Sequence, residues 1–171
     1  MASESSGLNF YVLLLKQDDP HKCTAAKLAK FGFARALYRI KQIPRSSLVL
    51  NPMTSRVILP RDIHQGSGVV AIDCSWEKAQ AEFRRGFPGV PKRLPTLLAA
   101  NPTNYAKKHK LSSVEALAAA AFILGRKEIA AKLLSLFKWG NTFLTLNNDL
   151  LEAYSSANSQ EELSEIESQF F

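Results

Sequence analysis

Val69-Val70-Ala71-Ile72-Asp73-Cys74-Ser75-Trp76-Glu77 decides how this chain is read, because an apolar run ends abruptly in an acid, a thiol, a hydroxyl and an indole. Such a run is a buried strand delivering polar groups to its carboxyl edge. In open α/β sheets the crevice outside those ends is where ligands bind, so Asp73, Ser75 and Trp76 are the first candidates for a site. The same residues also suit a strand followed by a capped helix, with Ser75 as the cap, Glu77 near the positive end of the helix and Trp76 packed inside.

Working outward, residues 9–16 read as a first buried strand, broken by the polar turn Gln17-Asp18-Asp19-Pro20. A helix is expected over 24–31, with Ala25, Leu28 and Ala29 on one face, Lys27 and Lys30 towards solvent, and Gly32 as a stop. Residues 47–50, 56–59 and 69–72 read as short strands separated by Pro52, Pro60 and the turn Gly66-Ser67-Gly68, with little room for crossover helices. A helix over 75–85 then ends at Gly86-Phe87-Pro88-Gly89. Beyond residue 90 the composition turns to alanine- and leucine-rich helix. Ser112-Ser113-Val114-Glu115 has the spacing of a capping box, and it opens a helix so uniformly apolar up to Gly125 that it must be central. Helices over 127–138 and 142–154 follow, then a short acidic helix capped by Ser159.

Size and charge bound the function. With 171 residues, 46% of them apolar, the chain can bury one good core or two small lobes sharing an interface. The longest apolar stretches, 10–15 and 117–124, are too short to span a membrane, and the first seven residues lack the pattern of a secretory signal, so a cytoplasmic protein is expected. Cys23 and Cys74 form no Cys-x-x-Cys pair and have no histidine at ligand spacing, which argues against a metal site and a disulfide. His21, His64 and His109 read as dispersed surface residues. The net charge of +7 is uneven, with 18 Lys/Arg against 7 Asp/Glu over residues 1–110 and 4 against 8 over 111–171. A surface this basic suits a polyanion such as RNA or DNA, with simple solubility as the alternative. No glycine-rich dinucleotide loop, P-loop or nucleophile elbow is present, which disfavours dinucleotide enzymes, NTPases and α/β-hydrolases.

Five motifs in order carry a resemblance: Lys22-Cys23-Thr24 with Lys27-Leu28; Ile72 to Trp76; Arg93-Leu94-Pro95 through Ala99-Ala100-Asn101-Pro102 to Asn104-Tyr105; Leu111-Ser112 with Glu115-Ala116; and Phe137-x-Trp139-Gly140 with Phe143, Asn147 and Tyr154. Together they resemble the small-subunit rRNA aminocarboxypropyltransferases of archaea and eukaryotes, over roughly residues 9 to 155. Ala25 and Ala106 depart from the pattern, standing where glycine is common. The resemblance implies an α/β, SPOUT-like fold with a trefoil knot, a connection that general chain-topology rules would exclude. Its N-terminal lobe (1–90) would carry a mostly parallel sheet and its C-terminal lobe (91–171) would be helical, with the cofactor cleft between them.

S-adenosylmethionine would be the donor, and its 3-amino-3-carboxypropyl group would pass to a ring nitrogen of a uridine or (methyl)pseudouridine in small-subunit rRNA or a pre-ribosomal particle. By the same resemblance, backbone groups near Ile72 would hold the ribose, those around Leu97, Leu98 and Ser113 the adenine, and Thr24 the carboxylate of the transferred chain. Asp73 would orient the amino group or accept the nucleophile's proton, and Trp76 would wall the methyl pocket with a cation–π contact to the sulfonium. Lys22, Lys27, Lys30, Arg45, Arg61, Arg84, Arg85, Lys92 and Arg93 would form the RNA face of a monomer that binds no membrane and no metal. A SPOUT-type RNA methyltransferase and a non-catalytic rRNA-binding assembly factor are the alternatives.

Overall fold

In the computed structural model, which describes residues 7–15, 23–73 and 76–171 and leaves out the side chains of residues 76–79, the apolar run over Gly68–Asp73 is a strand with its first four residues buried. It is β4 of a parallel sheet that also holds β1 (Asn9–Leu14), β2 (Arg35–Leu37), β3 (Leu48–Leu50) and β5 (Val90–Lys92), in the order β2-β1-β4-β3-β5. Parallel strands need cover on both faces, and the alternation supplies it. Val12, Leu48, Leu50, Val69 and Ala71 face the main core, which α1 (Thr24–Lys30) and α3 (Ser113–Ile123) cover with Leu28, Val114 and Leu117. Leu13, Leu37, Val49 and Val70 face a smaller cluster closed by Ile43 and Phe87. Gly68 lets β4 start flush against β1, because a Cβ there would sit 2.6 Å from the carbonyl oxygen of Asn9. The register then brings Leu14 opposite Asp73, so the two central strands end level.

After β4 comes α2 (Trp76–Arg85), and the helical half consists of α3, α4 (Lys127–Leu134), α5 (Gly140–Ser155) and α6 (Gln160–Phe170). The capping box of α3 forms as expected, with Ser112 accepting from the Glu115 N–H and Glu115 returning to the Ser112 N–H. Ser159 likewise caps α6. α3 is central: it packs on β4, α1, α4 and α5, and its segment from Leu117 to Ile123 is buried throughout. No helix among the described residues is long and apolar enough to cross a membrane.

The structure corrects several sequence expectations. Residues 56–59 do not form a strand. Val57 makes one bridge to Arg93, while its own N–H and C=O are taken by the side-chain amide of Gln160 at 3.0 and 2.7 Å, which ends the ladder after a single pair. The helix expected over 127–138 stops at Leu134, and the next begins at Gly140 rather than at residue 142. β2 and β5, each three residues long, were not expected at all, being too short to show a period of two. Ala106 has φ 64°, in the left-handed region where glycine is least strained, which accounts for the glycine common at that position. Ala25 is simply buried on the inner face of α1. The expected turn at residues 17–20, His21, Lys22, Cys74 and Ser75 lie outside the described residues.

Candidate functional site at the carboxyl edge of the sheet

Asp73 ends β4 half-buried, and the side chain that meets it comes from the start of α1. Cys23 Sγ donates to Asp73 Oδ2 at 2.9 Å while accepting from the Ala26 N–H at 3.4 Å, so one thiol both caps α1 and ties it to the strand end. Burial, then the hydrogen bond to Asp73, push the thiol up to about 12. At neutral pH Cys23 is therefore a hydrogen-bond donor and not a nucleophile. The next residue, Thr24, turns the other way: its Oγ1 accepts from the Val114 N–H in the first turn of α3 at 3.2 Å. Asp73, Cys23, Thr24 and the Ser113-Val114 corner thus form one continuous row.

The segment over residues 96–101 lies beside this row and is held by side chains from three helices. On alternate residues its N–H groups are taken by Glu167 of α6 (Thr96, 2.9 Å), Asn147 of α5 (Leu98, 2.8 Å) and Glu115 of α3 (Ala100, 2.6 Å). Asn147 also donates to the Leu98 carbonyl at 2.8 Å and to Phe143 O at 2.9 Å, and Tyr154 donates its hydroxyl proton to the Thr96 carbonyl at 2.7 Å. The other edge pairs with a loop, through Ala99 N–H to Lys107 O and Ala106 N–H to Ala99 O. An extended chain gripped at this many points is a rigid wall.

Glu167 shows how that grip depends on charge. Burial works to raise its pKa, but hydrogen bonds from the Thr96 hydroxyl and N–H, with Arg93 beside it, outweigh burial and hold the carboxyl below its ordinary value. Its folded pKa therefore lies under its unfolded one. The stabilisation is complete above the unfolded value and is lost as pH falls through the folded one. Glu167→Gln is expected to lower stability by ~1–2 kcal/mol at pH 7, and urea titrations of both proteins should converge as the pH is lowered from the unfolded value through the depressed folded one.

Of the sequence candidates, Thr24, Ile72, Asp73, Leu97, Leu98 and Ser113 are brought to this edge by the contacts above and by the strand and helix ends they occupy. Trp76 opens α2 just past it, with its side chain outside the description. Leu98 is more committed than expected, since Asn147 already uses its N–H; its carbonyl keeps a second lone pair. Lys27, Lys30, Arg45, Arg61, Arg84 and Arg85 are exposed. Lys92 is not: it is 7% exposed, with its ammonium 3.4 Å from the buried carboxylate of Asp62, which removes it from the expected RNA face. Arg93 is half-buried against Glu167 at 3.4 Å. Sequence reasoning gave no site role to Cys23, Glu115, Asn147 or Glu167. The first three sit inside the quoted motifs, whereas nothing in the acidic last helix marked Glu167.

Among the described residues no cluster of three or more His, Cys, Asp and Glu side chains is arranged to hold a metal ion. The profile of a family described as "Ribosome biogenesis protein, C-terminal" matches residues 48–171. A second, "Possible Fer4-like domain in RNase L inhibitor", matches residues 11–42. That stretch holds one cysteine, Cys23, against the four thiolates an iron–sulfur cluster takes, so its residues do not fit such a cluster. The chain is 42% identical to a 16S rRNA aminocarboxypropyltransferase of Methanosarcina mazei, the match covering 98% of each chain. It is 43% identical to the enzyme of the same name from Vulcanisaeta distributa, over 85% of this chain and 81% of the relative. The solved structure of a SAM-dependent rRNA:acp-transferase from Vulcanisaeta distributa superposes with a TM-score of 0.85 at 35% identity, covering 95% of this chain and 97% of that one.

Proposed function

Because this chain belongs to the 16S rRNA aminocarboxypropyltransferase family, we propose that it transfers the 3-amino-3-carboxypropyl group of S-adenosylmethionine to small-subunit rRNA during ribosome maturation. The observation that supports this most is the row Asp73–Cys23–Thr24–Ser113 lying beside the rigid segment 96–101. Its donor set suits the ligand: a carboxylate for an amino group, a hydroxyl beside helix N–H groups for a carboxylate, and a braced backbone for the flat adenine. The sulfonium makes three carbons electrophilic, and attack by a ring nitrogen of a uridine or (methyl)pseudouridine on the γ-methylene releases methylthioadenosine.

The residues select that carbon by placement. Asp73 holds the amino group and Thr24 the carboxylate, so the transferred chain is fixed at both polar ends with its methylene turned towards the RNA. Ile72 lies at the ribose, and Leu97, the second lone pair of the Leu98 carbonyl and Ser113 take the adenine. Trp76 stays in the proposal as the wall of the methyl pocket on its position in the chain alone. Lys22, Lys27, Lys30, Arg45, Arg61, Arg84 and Arg85 contribute the RNA face, with Arg93 at its margin. The resemblance also supports a SPOUT-like trefoil knot, a division into lobes at about residue 90 with the cofactor between them, and a monomer working in the cytoplasm.

The test incubates the protein and immature small-subunit rRNA with S-adenosylmethionine labelled at the carboxyl carbon or at the methyl. Carboxyl label alone in the RNA is the expected result. Methyl label alone would make the protein a methyltransferase, and neither label, with RNA still bound, would make it an assembly factor.

A further inference from the structure

Residues 23–61 contain eight lysines and arginines and not one aspartate or glutamate. Two large aromatic side chains in this acid-free stretch of chain are exposed, Phe31 at 54% and Tyr38 at 58%. Tyr38 is the better placed. It is the first residue past β2, the edge strand of the sheet. Leu13 pairs with Leu37 on one side of β1 and Leu14 with Asp73 on the other, so the residue after Leu37 comes level with Leu14 and Asp73 along the carboxyl edge. Two strand spacings of ~4.8 Å put its backbone about 10 Å from that of Asp73, within about three stacked nucleotides at ~3.4 Å each.

The backbone there is fixed. Gln42 Oε1 accepts from both the Tyr38 and the Arg39 N–H, at 2.8 and 2.9 Å, and folds the chain into a short 3-10 turn in which Arg39 and Lys41, both exposed, follow Tyr38 within three residues. An exposed ring with exposed cations next to it in sequence, and no acid nearby in sequence, has the ingredients by which proteins grip single-stranded RNA: the base stacks on the ring and the phosphates meet the cations. We propose that Tyr38 is a stacking platform for a base flanking the target nucleotide, with Arg39 and Lys41 on its phosphates. This surface lies beyond the basic residues assigned above. It rests on the transferase reading only for placing the target base at the Asp73 edge.

The test measures binding of a short unstructured RNA oligonucleotide and of protein-free small-subunit rRNA, together with the kinetics of aminocarboxypropyl transfer. Tyr38→Ala is expected to raise Kd and the KM for RNA by roughly 5- to 150-fold, with affinity for S-adenosylmethionine and melting temperature unchanged. Tyr38→Phe should keep wild-type affinity, since the ring and not the hydroxyl stacks. Removing Arg39 and Lys41 together should flatten the salt dependence of log K by ~1.4, at ~0.7 per phosphate contact. Unchanged RNA affinity in Tyr38→Ala would overturn the proposal, as would a loss in Tyr38→Phe equal to that in Tyr38→Ala, or a loss that tracks the melting temperature. Wild-type protein separates the two readings: if it transfers label while Tyr38→Ala binds RNA normally, only the platform is wrong, and if it transfers none, the transferase reading is.

Discussion

Glu115→Ala is expected to cost about 3–5 kcal/mol of stability, lowering the melting temperature by roughly 6–20 °C, and to abolish measurable binding of S-adenosylmethionine. Glu115 is fully buried in the first turn of α3. Its Oε2 accepts from the Ala100 N–H at 2.6 Å, and its Oε1 accepts from Asn101 Nδ2, Ser112 Oγ and the Ser112 N–H at 2.7, 2.8 and 2.9 Å. All four donors are neutral, so the carboxylate is held by hydrogen bonds, aided by its place at the positive end of the helix. Alanine would strand the Ala100 N–H and one N–H of the Asn101 amide, whose other bond goes to the Lys110 carbonyl, in the interior, where each unsatisfied group costs about 1–3 kcal/mol, and would remove half of the capping box besides. Glu115→Gln should be nearly as damaging, because its NH2 would face donors on whichever side it turned. The measurement is thermal unfolding alongside calorimetric titration with S-adenosylmethionine. A melting temperature within 2 °C or so of wild type would mean that Glu115 does not brace the wall of the site.

The parts of this architecture legible in the sequence are those set by local signals. β4 and its polar end, the boxes at Ser112 and Ser159, and the central position of α3 each follow from a period or a cap that a few adjacent residues spell out. What the sequence hid are partnerships across the chain. Gln160 meets Val57 across 103 residues, Glu167 meets Thr96 across 71 and Asn147 meets Leu98 across 49. An amide or an acid on a helix carries no sign of the distant backbone it will bond. The misplaced strand at 56–59 has the same cause, because its β-branched Val57-Ile58 satisfies the local rule while Gln160 takes the edge that a strand would need. Lys92 also passed for a surface charge, since its pairing with Asp62 depends on where β5 lands. Asp73, Thr24 and Ser113 come from three distant motifs, and the contacts of Cys23 and Val114 bring those motifs to one edge of the sheet.

Asp73→Asn is expected to lower kcat/KM for S-adenosylmethionine by about 10- to 150-fold, the ratio that corresponds to losing ~1.5–3 kcal/mol from a hydrogen bond to a charged group. Asparagine keeps the size of the side chain and an oxygen for the Cys23 thiol, so the end of β4 should stay in place and the loss should reflect the charge and the acceptor oxygen that the NH2 replaces. How the loss divides distinguishes the two roles open to this carboxylate. If Asp73 orients the amino group, the fall appears largely in KM for the donor, and the pH profile of kcat keeps its shape. If Asp73 takes the nucleophile's proton, kcat falls by about 10²–10⁴ with KM little changed, and the acid limb of the profile disappears. Orientation is the expected outcome. A carboxylate that already accepts from a thiol pushed up to about 12 has a fixed direction and a neighbour that keeps its proton, as suits an anchor. Cys23→Ala supplies the check: removing the thiol's hydrogen bond to Asp73 should raise KM in the same sense as Asp73→Asn but by less, whereas a base would keep its KM and lose only part of its aim, showing the deficit in kcat.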